Sequence, residues 1–483
     1  MGTRVLKAGA GAGDGLREGI AQIQQEQGVS PDFAPEVETA AEQDAASPRL
    51  PDLDRTDVEL VTIDPAGAMD LDQAMHLEAD GDGYVVHYAI ADVMAFVKPG
   101  DLVDVESHER GESLYGGDTK IPLHPRVLSE GAASLLPDQV RPAFLWTIHL
   151  DAAGSITGAT VERARVRSRQ KLDYAGIQPE IAKAPAGSTL ALLKTVGELR
   201  MAQEAARGGV SLPMPSQEID TDGGQWHLEF REMLPVENWN AQISLMTGFA
   251  AADLMVKGKV GILRTLPPAP EDAVKRLRRT ARALGIDWPN TQSAPDFIRA
   301  LDPARPADAA MVVACTSLLR GAGYAAFDGQ LPEQTEHAAL ASTYAHVTAP
   351  LRRLVDRYGL EVCAALCAGT DVPPWAREGL TDLPRTMQAS GRKSHAYEHA
   401  VLDLVEALTL QSRVGETFEA VVLESDHDDE RKGSVMVRDP AVEAKLTSQS
   451  PLPVGEDVTV TLAEADPATR KVRFELRSGG QGR

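Results

Sequence analysis

The stretch Thr62-Ile63-Asp64-Pro65-Ala66-Gly67-Ala68-Met69-Asp70-Leu71-Asp72-Gln73-Ala74 sets three carboxylates within nine residues, directly after the apolar strand pattern Val58, Leu60, Val61, Ile63. Mg²⁺ takes oxygen ligands in near-octahedral geometry and keeps positions open for phosphate oxygens. Carboxylates on a bent strand-to-loop segment therefore suit it better than His or Cys would. Three like charges this close are costly without a cation. Taken alone, the segment reads equally as an acidic turn, with Asp-Pro and Ala-Gly as ordinary loop punctuation. The rest of the chain decides between the two.

A chain of 483 residues exceeds the size at which a single core stops growing, so two to four domains are expected. A hydrophobic content of 43% and a charged content of 25% describe an ordinary soluble globular protein. No apolar run approaches the roughly 18 residues of a membrane span, and no signal-peptide pattern opens the chain. Cytoplasm is the expected location, with no membrane partner. Cys315, Cys363 and Cys367 form no zinc spacing and leave an odd count, which suits buried thiols in a reducing compartment. The net charge of −23 is awkward for a nucleic-acid binder, so a polyanion has to meet local basic clusters.

The pattern divides into three regions within an α+β multidomain class. Residues 1–50 form a small helical N-terminal region, with helical stretches near 14–28 and 35–45 broken at Ser30-Pro31; it reads as an appendage or a partly disordered arm. Residues 51–412 form a mixed α/β body. Its strand signals run from Tyr84 to Ile90, after the turn Asp80-Gly81-Asp82-Gly83, then from Phe144 to Leu150 and from Ala159 to Val166. Helical patterns dominate from about 170 onward, interrupted at Pro213-Met214-Pro215, Pro267-Pro268 and Pro373-Pro374. Residues 413–483 switch to short alternating strands and fit an all-β OB-fold barrel, a type that binds single-stranded nucleic acid. The run Asp426 to Glu430 reads as a solvated loop tip.

The block from Thr62 to Ala143 resembles the catalytic (RNB) domain of the ribonuclease II family. It contains TIDPAGAMDLDQA and then HYAIADVMAFVKPGDLVDVESHERGESLYGGDTKIPLHPRVLSEGAASLLPDQVRPA. A second block, YAHVTAPLRRLVDRYGLEV from Tyr344 to Val362, resembles that family's Thr-Ser-Pro-Ile-Arg-Arg-Tyr segment. The resemblance implies a processive 3′-to-5′ exoribonuclease. Its partner would be single-stranded RNA with a free 3′ end, its cofactor Mg²⁺ and its products nucleoside 5′-monophosphates. A monomer is expected. The chemistry agrees, because two cations held by shared carboxylates can activate an in-line water and neutralise the phosphate.

Asp64, Asp70 and Asp72 match the family's first three catalytic aspartates, and Gln73 stands where the fourth is usual. An amide oxygen can still bind a cation, so Gln73 is kept as a metal ligand, but it brings no charge and cannot act as a base. Asp92 is a weaker compensating carboxylate. Arg352 matches the arginine at the scissile phosphate. Thr348-Ala349-Pro350 reads as a helix start that places Arg352 and Arg353 near an anion-favouring N-terminus. An Arg352 pair with Asp356 is the structural alternative. Arg353 is a second RNA contact, and Arg357 is unassigned. Tyr115 matches a tyrosine that stacks on a terminal base. A second aromatic of that clamp has no counterpart near Ser211 to Gln217.

Ala241-Gln242 replaces a usual Glu pair on a helix from Asn238 to Leu254, which reads as a core helix with a weakened polar end. His124 reads as a packed histidine. The family's N-terminal cold-shock barrels have no counterpart, and a small helical element, helix-turn-helix-like, is expected to leave the channel more open to structured RNA. Two alternatives remain: a weakened RNA-binding pseudo-nuclease, and a phosphodiesterase on DNA or short oligonucleotides.

Overall fold

In the computed structural model, which describes residues 14–116, 119–212, 216–222, 225–231, 233–426 and 428–476, the chain opens with helices α1 (Asp14–Gln27) and α2 (Pro35–Ala46). Leu16, Ile20 and Ile23 recur at helical spacing and make one buried face of α1, whereas α2 starts on Pro35 and buries Val37 and Ala41. The two faces enter different apolar clusters. That of α1 joins Tyr397, Val401 and Leu404, and that of α2 joins Phe96, Val103 and Leu128. Residues 14–46 thus carry two helices docked at different places, and not a helix-turn-helix with a shared core.

The pattern ending at Asp64 becomes β1 (Leu60–Asp64), followed by β2 (Gln73–Asp80) and β3 (Gly83–Ala91). An excursion then carries α3 (Leu102–Arg110) and the hairpin β4 (Leu114–Gly116) and β5 (Thr119–Ile121), before β6 (Val140–Leu150) and the long β7 (Ile156–Asp173). The order β1-β2-β3-β6-β7 closes into a barrel, with β1 parallel to β7 and the other pairs antiparallel. Expected strands at 84–90, 144–150 and 159–166 are all present. β2 is the addition: Met75 and Leu77 are buried, His76 is partly exposed and Glu78 is exposed, an alternation that the acidic loop before it obscured.

Helices α4 (Tyr174–Ile181) and α5 (Thr189–Arg207) lead through the pair β8 (Ser216–Asp222) and β9 (Gln225–Arg231) to α6 (Pro235–Gly258). α6 is buried on nearly every side through Trp239, Ile243, Met246, Ala250 and Met255, as expected for a core helix. A side chain at Gly248 would meet the Tyr344 ring at 2.1 Å, so only glycine lets the segment after Thr343 lie against α6. Next come β10 (Val260–Thr265), α7 (Glu271–Ala283), α8 (Ala294–Arg299), α9 (Pro306–Cys315) and β11 (Gly323–Asp328), which pairs with β10. The short pair β12 (Glu336–His337) and β13 (Ser342–Thr343) precedes α10 (Leu354–Ala368), α11 (Pro374–Gly379) and the long α12 (Leu383–Leu410). Cys315 and Cys363 are buried free thiols and Cys367 is partly buried.

The C-terminal strands are β14 (Thr417–Ser425), β15 (Lys432–Val437), β16 (Val442–Ser448), β17 (Asp457–Asp466) and β18 (Lys471–Leu476). They close in the order β14-β15-β16-β18-β17 around Phe418, Val435, Leu446 and Phe474, the five-stranded OB-like barrel expected of this region. Among the described residues no helix is long and apolar enough to cross a membrane.

Candidate active site

The acidic segment is folded by its own turn chemistry. Ala68 N–H donates to Pro65 O (3.1 Å) and Gly67 sits at φ +82°, the left-handed position that glycine fills without strain. Ser134 pins the rest: its hydroxyl accepts Leu71 N–H (2.9 Å) and donates to Met69 O (2.6 Å). Leu135 N–H donates to Leu71 O (3.0 Å), and Ala91 N–H to Asp72 O (2.9 Å), where the chain re-enters the barrel at β2. Asp64, at the end of β1, and Asp72, just before β2, therefore bound a fixed loop that carries Asp70.

Their electrostatics are those of crowded, partly desolvated acids. Burial, reinforced by Asp70, pushes the Asp64 carboxyl up to about 7, and its buried Oδ2 has no hydrogen-bond partner. Burial likewise pushes Asp72 up to about 8, against the opposing pull of Arg352. Asp72 Oδ1 accepts Leu351 N–H (2.8 Å) and its Oδ2 lies 3.5 Å from Arg352 Nε. Asp70 Oδ2 is 2.6 Å from Lys120 Nζ, which also reaches Glu130 Oε1 at 3.3 Å.

The Arg352 side chain is 41% exposed beside Asp72. Arg352 sits near a helix N-terminus, as expected, one residue before the N-cap Arg353, but the helix starts later than Pro350. α10 begins at Leu354, and residues 349–353 form a tight turn in which Arg352 and Arg353 N–H both donate to Ala349 O. Pro350 bends the chain before the helix and does not start it. Asp356 pairs with Arg353, not Arg352. Arg353 Nε and Nη2 each lie 2.8 Å from its carboxylate, which also accepts Ala349 N–H (2.7 Å). That bidentate pair, largely buried, holds the turn shut and takes Arg353 away from RNA phosphate. Arg357 is buried on Asp104 and Ser107 and is structural.

Gln73 also departs from its expected ligand role. Its Nε2 donates to Thr348 O (2.6 Å) and its Oε1 accepts the Tyr88 hydroxyl, so the amide ties β2 to the 348–353 turn and both ends are engaged within the protein. Asp92 is buried in a triad with Arg163 (2.8 Å) and Glu361, which removes it as a compensating carboxylate. His124 is fully buried, and burial with nearby Arg357 pushes it down to about 3; it is neutral packing. Gln242 donates to Glu204 (2.6 Å) inside the protein. Tyr115, on β4, lies among Arg352, Asp70 and Asp72, with its hydroxyl pushed up by burial. Part of the Ser211–Gln217 segment lies outside the described residues.

Lys120 is the site residue that sequence reasoning passed over. In the β4–β5 hairpin it stands directly opposite Tyr115. Gly117-Asp118 between two short apolar runs is a hairpin signal, and that register would have found it. Among the described residues, no three His, Cys, Asp or Glu side chains stand together ready to hold an ion. The donor chemistry nevertheless fits a hard cation. Three carboxylates share one loop, and Asp64 offers a buried oxygen with no other partner.

Two family descriptions match this chain: the RNB domain over residues 53–364 and the RNase II-type exonuclease C-terminal S1 domain over residues 416–477. Ribonuclease R of Escherichia coli (strain K12) is 29% identical over 321 residues, covering 63% of this chain and 39% of that protein. The exosome complex exonuclease dis3 of Schizosaccharomyces pombe is 24% identical over 389 residues, covering 77% of this chain and 40% of its own length. The chain thus spans about two fifths of the length of these curated relatives. The structure of Mycoplasma genitalium RNase R in complex with ribose methylated single-stranded RNA superposes with a TM-score of 0.84 at 19% identity, over 96% of this chain and 78% of that one. Yeast Ssd1, described as a pseudonuclease, superposes at 0.69 and 14% identity, over 93% and 58%. At these identities the likeness speaks for the fold.

Proposed function

The chain belongs to the RNB-domain family of RNase II-type exonucleases, and from that premise we propose that it hydrolyses single-stranded RNA from a free 3′ end. The reaction is processive and Mg²⁺-dependent, and the enzyme works as a cytoplasmic monomer. Water adds to the last phosphodiester phosphorus, the P–O3′ bond breaks, and the departing 3′ oxygen takes a proton. One nucleoside 5′-monophosphate leaves for each water consumed.

The observation that carries this reading is the meeting of four features at one point: the orphaned Asp64 oxygen, the raised Asp72 carboxyl, the half-exposed Arg352 3.5 Å from it, and Tyr115 among them. A divalent ion bound there would activate the water and neutralise developing charge on the non-bridging oxygens. Asp64, Asp70 and Asp72 are the residues that would hold it. Arg352 presents a planar fork to two phosphate oxygens and orients the scissile group for in-line attack. Its position is set from behind, because the Asp356–Arg353 pair and the Gln73 amide both brace the turn that carries it. The Tyr115 ring stacks on the terminal base without regard to its identity, as an enzyme that reads through any sequence requires.

The test is a time course of 5′-labelled single-stranded RNA with Mg²⁺, wild type beside Asp72→Asn, resolved on a denaturing gel. Shortening from the 3′ end in the wild type alone supports the reading. Intact RNA in both, with binding retained, supports instead a pseudo-nuclease, the reading that Gln73 favours through its engaged amide. Matched DNA oligonucleotides report sugar selectivity. Stalling at the base of every 3′-overhang hairpin would count against tolerance of structured RNA.

A further inference from the structure

Alternation along β4 gives its hairpin with β5 two different faces. On one side Tyr115 lies among Arg352, Asp70 and Asp72. On the other, Leu114 and Ile121 are buried in the apolar cluster that also takes the buried face of α1 and Tyr397 and Val401 of α12. The tightest approach is at Gly116, the residue after Tyr115. A side chain there would meet the Tyr397 ring at 2.6 Å and Val401 at 2.9 Å, so the strand backbone lies directly on that ring. Tyr397 is fully buried, and its hydroxyl accepts Gln24 Nε2 of α1 at 3.1 Å. At its other end α1 reaches the C-terminal barrel, where Glu26 lies 2.7 Å from Arg470.

The strand is therefore held on both sides of Tyr115. Before it, Ser113 N–H donates to Arg352 O (2.9 Å), and the Ser113 hydroxyl accepts Leu123 N–H (2.9 Å). After it, Gly116 rests on the Tyr397 ring. A side chain on a strand stands roughly perpendicular to the sheet, so the Tyr115 ring goes where its backbone goes. In a close-packed interior a displacement at Gly116 has no void to absorb it and passes to the next residue.

We propose that Tyr397 is a positioning residue for the terminal-base platform. Its ring, with the hydroxyl held by Gln24, is the seat on which the β4 backbone rests, and it sets how far the Tyr115 ring reaches toward the acidic loop. The N-terminal helix thereby contributes to RNA binding through Tyr397. This rests on the reading that Tyr115 stacks on the terminal base.

The experiment uses the full chain in EDTA, so that no RNA is consumed, with a single-stranded RNA ending in 2-aminopurine, whose fluorescence falls when the base stacks on a ring. Gly116→Ala drives a methyl into the Tyr397 ring without hollowing the core, Tyr397→Leu removes the ring, and Tyr397→Phe keeps it. The first two should each lose most of the terminal quench and about tenfold in affinity, whereas Tyr397→Phe stays within about twofold of wild type. A purely structural Tyr397 would instead lower the melting temperature and leave the quench of the folded protein intact, which would overturn the proposal. In a Tyr115→Ala background the same changes should cost less than about twofold more, because the ring they displace is already gone. A further tenfold loss there would place their effect elsewhere and overturn the proposal as well. Tyr115→Ala alone with the wild-type quench would defeat the stacking reading itself, and this proposal with it.

Discussion

Asp72→Asn separates two consequences of one buried carboxyl: its cost to the ion-free fold and its part in the reaction. Asp72 is 5% exposed, and burial pushes its carboxyl up to about 8 from an ordinary 3.8. At neutral pH the folded, ion-free protein therefore keeps a proton that the unfolded chain has released. Stability falls as pH rises between the two values, by about 1.4 kcal/mol per pH unit. Accumulated to pH 7, the cost is on the order of 4 kcal/mol as an upper bound. Asparagine has the shape of the protonated acid, can still accept Leu351 N–H, and has no charge to surrender on folding. In EDTA at pH 7 the variant should therefore melt a few degrees above wild type, with the gain shrinking toward pH 4 as the unfolded wild type also keeps its proton. RNA hydrolysis should fall by about 10²–10³-fold. A variant that melts below wild type in EDTA at neutral pH would refute the buried-charge reasoning. One that hydrolyses RNA at the wild-type rate would remove Asp72 from the reaction.

Ion binding should be strongly pH-dependent. Asp64, raised to about 7, and Asp72, raised to about 8, must lose protons to bind a cation, so apparent Mg²⁺ affinity should climb by about 10²-fold or more between pH 6 and 8.5. Calorimetry in buffers of different ionisation enthalpy reads the released protons, and a flat profile would contradict the raised values. Tyr115→Ala should weaken single-stranded RNA binding by about 10- to 100-fold, while Tyr115→Phe stays near wild type, as followed by fluorescence anisotropy. Equal losses in both would assign the contact to the hydroxyl and not the ring. Arg353→Ala should destabilise by about 3–5 kcal/mol, because it strips the fully buried Asp356 of its charge partner. A stable Arg353→Ala protein with uniformly weaker RNA binding would restore the phosphate role.

Local pattern carried much of the molecule. The strands at 84–90, 144–150 and 159–166, the helices near 14–28 and 35–45 and the C-terminal barrel all follow from periodicity and turn residues. These are properties of neighbours a few positions apart. The acidic loop was legible for the same reason, since Asp64, Asp70 and Asp72 lie on one short segment ended by a turn. The absent fourth charge was equally plain at Gln73. What Gln73 does instead was not, because its amide bonds to Thr348, 275 residues away, and nothing in residues 62–74 specifies that partner.

The same limit separates Arg352 from its neighbour. The two arginines are adjacent and chemically alike, but the turn at Ala349 aims Arg353 inward at Asp356 and leaves Arg352 beside Asp72. Lys120 is the sharpest case. In sequence it is one lysine two residues after Gly-Asp; in the fold, the pairing of β4 with β5 and the path of the acidic loop bring its ammonium to Asp70, 2.6 Å away. The sequence by itself determined which charges this protein has and the elements that carry them. Only the tertiary fold, which sets the 348–353 turn and the β4–β5 hairpin against the acidic loop, decided which of those charges meet.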